Sequence, residues 1–100
     1  MTKYGLSDDI YNKIKEIMKR YNNCEFKIFG SRARGDYKKS SDIDIAIYNC
    51  LDDKEKFNIK NEFDLLEIPY MIDLIFIEDV TKKELLDSIE RDGKRIWVDL

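Results

Sequence analysis

Apolar positions along the chain change rhythm several times, and each change predicts an element. Ile10, Ile14, Ile17, Met18 and Tyr21 recur every three or four residues, which makes one face of a helix, and Ser7 stands where a capping hydroxyl belongs. Asn22-Asn23 marks its exit. From Glu25 to Phe29 the period drops to two, with Phe26 and Ile28 on one side, so a strand is expected, and Gly30 ends it. Residues 31–36 suit a short helix and residues 37–41 a polar loop. A second strand is predicted over residues 42–48. Ile43, Ile45 and Ile47 share one face there, and Asp42, Asp44, Ala46 and Tyr48 the other. Ile59, Phe63 and Leu66 predict a helix over residues 53–67, stopped ahead of Pro69. Residues 70–77 read as an apolar strand interrupted only by Asp73. Thr81-Lys82-Lys83-Glu84 has the pattern of a capping box opening a helix that carries Leu85, Leu86 and Ile89, and Asp92-Gly93 closes it. Residues 94–98 suit a last short strand with Ile96 and Val98 facing one way. The order α-β-(α)-β-α-β-α-(β) predicts an α/β sheet with helices packed against it.

Composition narrows the class. One hundred residues make a single domain, 1–100, with no internal repeat or linker. The hydrophobic share of 43% is that of a folded chain, while 39% of residues are charged with the signs well mixed. A net charge of −3 and a pI near 5.0 argue against a protein that grips long nucleic acids, so direct nucleic-acid binding is not expected. No apolar run reaches the ~20 residues of a membrane span and no signal-like segment opens the chain, so a cytoplasmic location is expected. Cys24 and Cys50 form no CxxC, and their spacing suggests no zinc site; they are expected as reduced, half-buried thiols. Histidine is absent, which excludes a Ser-His-Asp triad, a Cys-His pair and the usual zinc hydrolase ligand sets.

What remains for chemistry is carboxylates, hydroxyls, cations or a bound metal. Asp42 and Asp44, at i and i+2 of a strand, share a face with α-carbons roughly 6.6–7 Å apart, so their side chains can converge on a hard cation. Mg²⁺ suits a few carboxylates together with substrate phosphate oxygens. Asp73, the one charge in its apolar run, is the candidate third carboxylate; buried without a partner it would be costly. Gly30 lets backbone approach a phosphate, and Ser31 offers a hydroxyl and an amide at the start of a short helix. Arg32, Arg34, Lys38 and Lys39 then form a basic loop against one acid, Asp36, in an otherwise acidic protein. Taken singly these are a solvated strand face, a turn, surface charge and an ion-paired Asp. It is their order and spacing that point to a triphosphate facing a carboxylate–metal site. Arg34-Gly35-Asp36 spells an adhesion tripeptide by coincidence. Asp42-Ile43-Asp44 is not a calcium loop, because Ala46 and Ile47 stand where that loop needs polar and glycine residues.

Gly30-Ser31, ten intervening residues, Asp42-Ile43-Asp44 and a later Asp in MIDLIF resemble the signature of the polymerase-beta-like nucleotidyltransferase superfamily. GSRARG…SDIDI is most similar to its minimal nucleotidyltransferases, over nearly the whole chain. The resemblance implies the nucleotidyltransferase fold, a mixed β-sheet of about four strands flanked by helices. It implies that Asp42, Asp44 and Asp73 bind Mg²⁺, as two ions, and that Asp73 helps to activate an incoming hydroxyl. Gly30 and Ser31 would hold the β- and γ-phosphates of ATP, with Arg32, Arg34 and Ser41 assisting. The reaction would be attack on the α-phosphate with release of pyrophosphate. Members of the minimal group act as antitoxins to HEPN-family ribonuclease toxins and are similar to enzymes that add AMP to a toxin tyrosine. A chain of this size has little room beyond a catalytic core, so a separate macromolecular acceptor is expected. The competing readings are an antitoxin that neutralises by binding alone, and transfer to a small molecule or RNA. Tyr4, Tyr11 and Tyr37 are expected to be exposed, where they could meet a partner.

Overall fold

The computed structural model describes residues 3–96. Helix α1 spans Asp8–Lys19. Ser7 caps it, its hydroxyl accepting from the Ile10 amide at 3.2 Å, and Asp8 and Asp9 lie in the positively polarised first turn. Strand β1 (Glu25–Phe29) runs directly into the five-residue helix α2 (Gly30–Arg34), and β2 occupies Ile43–Tyr48. Helix α3 (Asp53–Asp64) starts on an Asp52 side-chain cap and stops before residues 65–67, short of the helix expected there. Strand β3 (Ile72–Phe76) is shorter than the apolar run that predicted it, because residues 77–79 turn into a 3₁₀ helix. Helix α4 (Lys83–Asp92) follows. The capping box does not form: Lys82, not Thr81, sits at the N-cap and no side chain caps the helix. Strand β4 is Lys94–Arg95; Trp97 and Val98 of the predicted last strand lie outside the described residues.

The four strands form one mixed sheet in the order β3-β2-β1-β4. β1 pairs antiparallel with β2 and β4, and β2 pairs parallel with β3 across the α3 crossover. The sheet is covered unequally. One face carries Phe26, Ile28, Ile43, Ile45 and Ile47 and packs against Ile14, Ile17 and Met18 of α1 and Ile59 and Phe63 of α3. The other carries Phe29 and Ala46, which meet Ile89 of α4 in a much smaller cluster. The isoleucines of β2 are completely buried, so the large core is where most apolar burial energy resides, at about 25 cal/mol per Å². Asp44 of β2 lies on the thinly covered face with Ala46.

Both cysteines are free and buried, more deeply than half-buried thiols. Tyr4, Tyr11 and Tyr37 are only partly exposed. Tyr4 and Tyr11 pack on the main core with ring centroids 6.2 Å apart, and Tyr37 covers a guanidinium.

Candidate functional site

The parallel register of β2 and β3 sets Asp44 directly beside Asp73. Residues paired in this way point to the same side of the sheet, so the two carboxylates face the same space. Asp42 lies just ahead of β2, two residues from Asp44. Asp44 is half-buried, while Asp42 and Asp73 are exposed. The cost of burying a charge, which singled out Asp73 in the sequence, therefore falls on Asp44. β3 is an edge strand, and its acid side chain reaches water. Burial pushes the Asp44 carboxyl above the usual carboxylate range. The carboxylates of Asp73 and Asp42 push it further the same way, and the Arg34 guanidinium opposes them. Asp44 thus feels both other acids and Arg34; the three acids offer oxygen donors of the kind Mg²⁺ takes, but their ligand atoms are not gathered within 4.8 Å of one another.

Gly30 completes this corner. Antiparallel register places Phe29 opposite Asp44, and Gly30 follows at once, with φ +73°. A side chain there would start 3.3 Å from Asp44 Cγ and closer still to Oδ2. Only a glycine both adopts the left-handed conformation cheaply and leaves the Asp44 carboxylate its place. Ser31 follows in the first turn of α2, half-buried, its carbonyl accepting from the Gly35 amide at 2.9 Å.

The basic loop divides into two kinds of residue. Arg32 is 2% exposed, and its guanidinium is occupied by backbone. Nε and Nη2 donate to the Ser41 carbonyl at 3.1 and 2.8 Å, Nη1 to the Tyr4 carbonyl at 2.9 Å, and Nη2 also to Lys39 at 3.4 Å. The rings of Tyr70 and Tyr37 stand 4.6 and 5.3 Å away. Ser41 is tied into the same loop, its hydroxyl accepting from the Lys38 amide at 2.8 Å. Arg34, by contrast, is on the surface and faces Asp44 electrostatically. Asp92 at the end of α4 holds it at 3.0 Å and Asp36 at 3.2 Å. Asp92 was not singled out in the sequence. It is 58 residues from Arg34, and a helix-terminal Asp before Gly reads simply as a stop signal. A hollow of about 430 Å³ lies elsewhere, lined by Lys60, Leu74, Phe76, Asp79 and Leu85, and none of the three acids lines it.

A family model described as "Polymerase beta, Nucleotidyltransferase" matches residues 12–99. No curated protein matches the chain. Among solved structures, a chain of a toxin–antitoxin complex with AMP-PNP superposes with a TM-score of 0.63 at 26% identity, over 88% of this chain and 73% of that one. A chain from the complex of tri-AMPylated Shewanella oneidensis HEPN toxin with MNT antitoxin gives 0.57 at 22% identity, over 89% and 72%. A Sulfolobus solfataricus protein assigned to the nucleotidyltransferases gives 0.54 at 23% identity, over 98% and 90%. The last two are alike in fold.

Proposed function

Because the chain belongs to the polymerase beta nucleotidyltransferase family, we propose that it transfers AMP from ATP to a hydroxyl, a tyrosine side chain, of a HEPN-family toxin, and so acts as that toxin's antitoxin. The observation that carries the reading is the juxtaposition of Asp44 with Asp73 in register and Gly30 packed on the Asp44 carboxylate. Likeness to a chain of the toxin–antitoxin complex with AMP-PNP supports the nucleotide and the partner class.

In this reading Asp42, Asp44 and Asp73 hold Mg²⁺. Bound by these three acids, the ion would supply charge neutralisation for the triphosphate and the leaving pyrophosphate. Gly30 and Ser31 receive the β- and γ-phosphates. Arg34, held by Asp36 and Asp92, is positioned to counter their charge, and Arg32 with Ser41 keeps the intervening loop in shape. The acceptor oxygen attacks the α-phosphorus in line. A new P–O bond forms as the bond to the β-phosphate oxygen breaks, and the hydroxyl proton passes towards the exposed Asp73 carboxylate. The open site leaves room for a hydroxyl presented by another macromolecule.

The test is incubation with labelled ATP, Mg²⁺ and a HEPN-family toxin as the partner, followed by intact mass. Gain of AMP units by the partner, lost in Asp42→Asn/Asp44→Asn, is expected. Neutralisation of the partner by that double variant, with no mass gain for the wild type, would replace catalysis with binding alone.

A further inference from the structure

At the far end of the β1–β2 pair, four register positions from the carboxylates, the fold assembles a second group of ligating side chains. That distance is about 13 Å along a strand. Cys24 immediately precedes β1, Cys50 follows β2 after one intervening residue, and Glu55 lies in the first turn of α3. One atom from each lies within 4.8 Å of the other two. Both thiols donate to the same carboxylate oxygen, Glu55 Oε1, from 3.3 and 3.5 Å. The Asn23 amide orients that oxygen from 3.0 Å. The turn that aims Cys50 inward is built at Asn49, which adopts φ +64°, a conformation asparagine tolerates better than most residues. Its amide is fixed to Glu78 at 2.6 Å, and its carbonyl, a further oxygen, stands 3.9 Å from Cys24 Sγ.

We propose that Cys24, Cys50 and Glu55 form a binding site for a soft divalent cation of the zinc class, separate from the carboxylate site. Ligands arranged tetrahedrally about zinc stand about 3.8 Å apart for two sulfurs and about 3.6 Å for sulfur and oxygen. The sulfur–oxygen distances here are already close to that. The exchange balances in charge: two S–H protons leave to solvent, two S–metal bonds and one O–metal bond form, and the cluster's net charge is unchanged. Two thiolates and one carboxylate favour zinc or cadmium over Mg²⁺, which keeps this site distinct in preference as well as place. A disulfide is the competing fate of a thiol pair. It requires the sulfurs at about 2.05 Å, whereas here both are directed at a shared oxygen. Sequence spacing hides the group, because 25 residues, with β1, α2 and β2 among them, separate its cysteines.

The experiment uses the full chain, reduced and stripped with a chelator, then titrated with Co²⁺ and afterwards with Zn²⁺. One equivalent of Co²⁺ should give a thiolate charge-transfer band and tetrahedral visible bands, displaced by Zn²⁺ but not by excess Mg²⁺. Two protons should be released per ion, read by calorimetry in buffers of different ionisation enthalpy. Cys24→Ser and Cys50→Ser should each abolish or halve the band. Glu55→Gln, a near-isosteric change in an accessible helix turn, should keep the fold by circular dichroism and weaken affinity by about tenfold or more. Asp44→Asn should leave the thiolate band and its Co²⁺ titration as in the wild type, whatever it changes at the carboxylates. A reduced, folded protein that gives no thiolate band, or a band that survives loss of both cysteines, or conversion of the pair to a disulfide that reduction does not return to metal-binding form, would overturn the proposal.

Discussion

Gly30→Ala tests the geometry of the carboxylate corner most directly, because two separable costs meet at one atom. The first is conformational. Alanine at φ +73° pays the left-handed penalty of roughly 1–2 kcal/mol, reduced by roughly 0.4–1 kcal/mol because the unfolded chain also loses freedom. The second is steric. The new methyl stands 3.3 Å from Asp44 Cγ and nearer to Oδ2, so the carboxylate must leave its rotamer, at about 1 kcal/mol. Together the variant should lose about 2 kcal/mol, which for a domain of this size lowers the melting midpoint by about 10 °C. Urea unfolding in chelator, with equal m-values, gives the figure free of metal linkage. The decisive arm is the same substitution in Asp44→Ala. That background removes Cγ and Oδ2 and keeps Cβ, which is 3.6 Å from the new methyl and in ordinary contact. There Gly30→Ala should cost only its conformational part, leaving a coupling energy near 1 kcal/mol between the sites. Coupling below about 0.3 kcal/mol, the level of additivity between independent sites, would refute the claim that Gly30 is glycine because of Asp44.

Asp44→Asn should abolish transfer yet stabilise the metal-free protein at pH 7. The in-register Asp73 is one strand spacing away, about 4.8 Å, and relief of that repulsion in a water-like dielectric is worth about 0.9 kcal/mol. Because the folded-state pKa of Asp44 is raised, its protonated form favours folding at low pH and that contribution is lost as pH rises through the folded value. The stability gap between variant and wild type should therefore narrow as pH falls from 7 through the carboxylate range, which urea titrations at several pH values would read. Arg32→Met should destabilise by about 2 kcal/mol, since it strips donors from part-buried carbonyls, and Arg32→Lys should recover little because an ammonium lacks the planar fork; thermal melts would show both. Asp92→Asn should raise KM for the nucleoside triphosphate with less effect on kcat, by releasing Arg34 from its place, and steady-state kinetics at saturating acceptor would separate the two.

The strands were legible because their apolar period is strict. Glu25–Phe29 was predicted residue for residue, and Ile43, Ile45 and Ile47 do face the large core together. Element ends were less so. The Thr81 hydroxyl suits a capping box, but α4 begins one residue later than that box requires, so the local pattern went unused. Residues 70–77 are apolar but for Asp73, and nothing in that run distinguishes a strand residue from the 3₁₀ turn at Ile77. At the site, residue identities and spacing brought out the three acids and Gly30-Ser31, but not their unequal exposure, which follows from β3 lying at the sheet edge. Arg32 and Arg34 were indistinguishable in sequence. One is buried among carbonyls and the other is held at the surface by an acid 58 residues away, a long-range pairing that no local pattern encodes.

The spacing of the glycine–serine pair from the aspartates has a physical origin in the hairpin. Antiparallel pairing of β1 with β2 sets Phe29 against Asp44, and this register is enforced along the strand by Phe26 and Ile28 meeting Ile47 and Ile45 on the buried face. A slip of one residue would turn every one of those side chains to the wrong side. Gly30 lands on the Asp44 carboxylate because the core holds the register. The chain between them has no core of its own. Its shape comes from one buried guanidinium that gathers the carbonyls of Tyr4, Lys39 and Ser41. Apolar packing on one face therefore positions the acids on the other, and Arg32 positions the loop that presents Arg34. The exposed side chains at this site, Asp42 and Asp73, and Arg34 held by its two acids, then lie outside the packing that carries the stability of the fold.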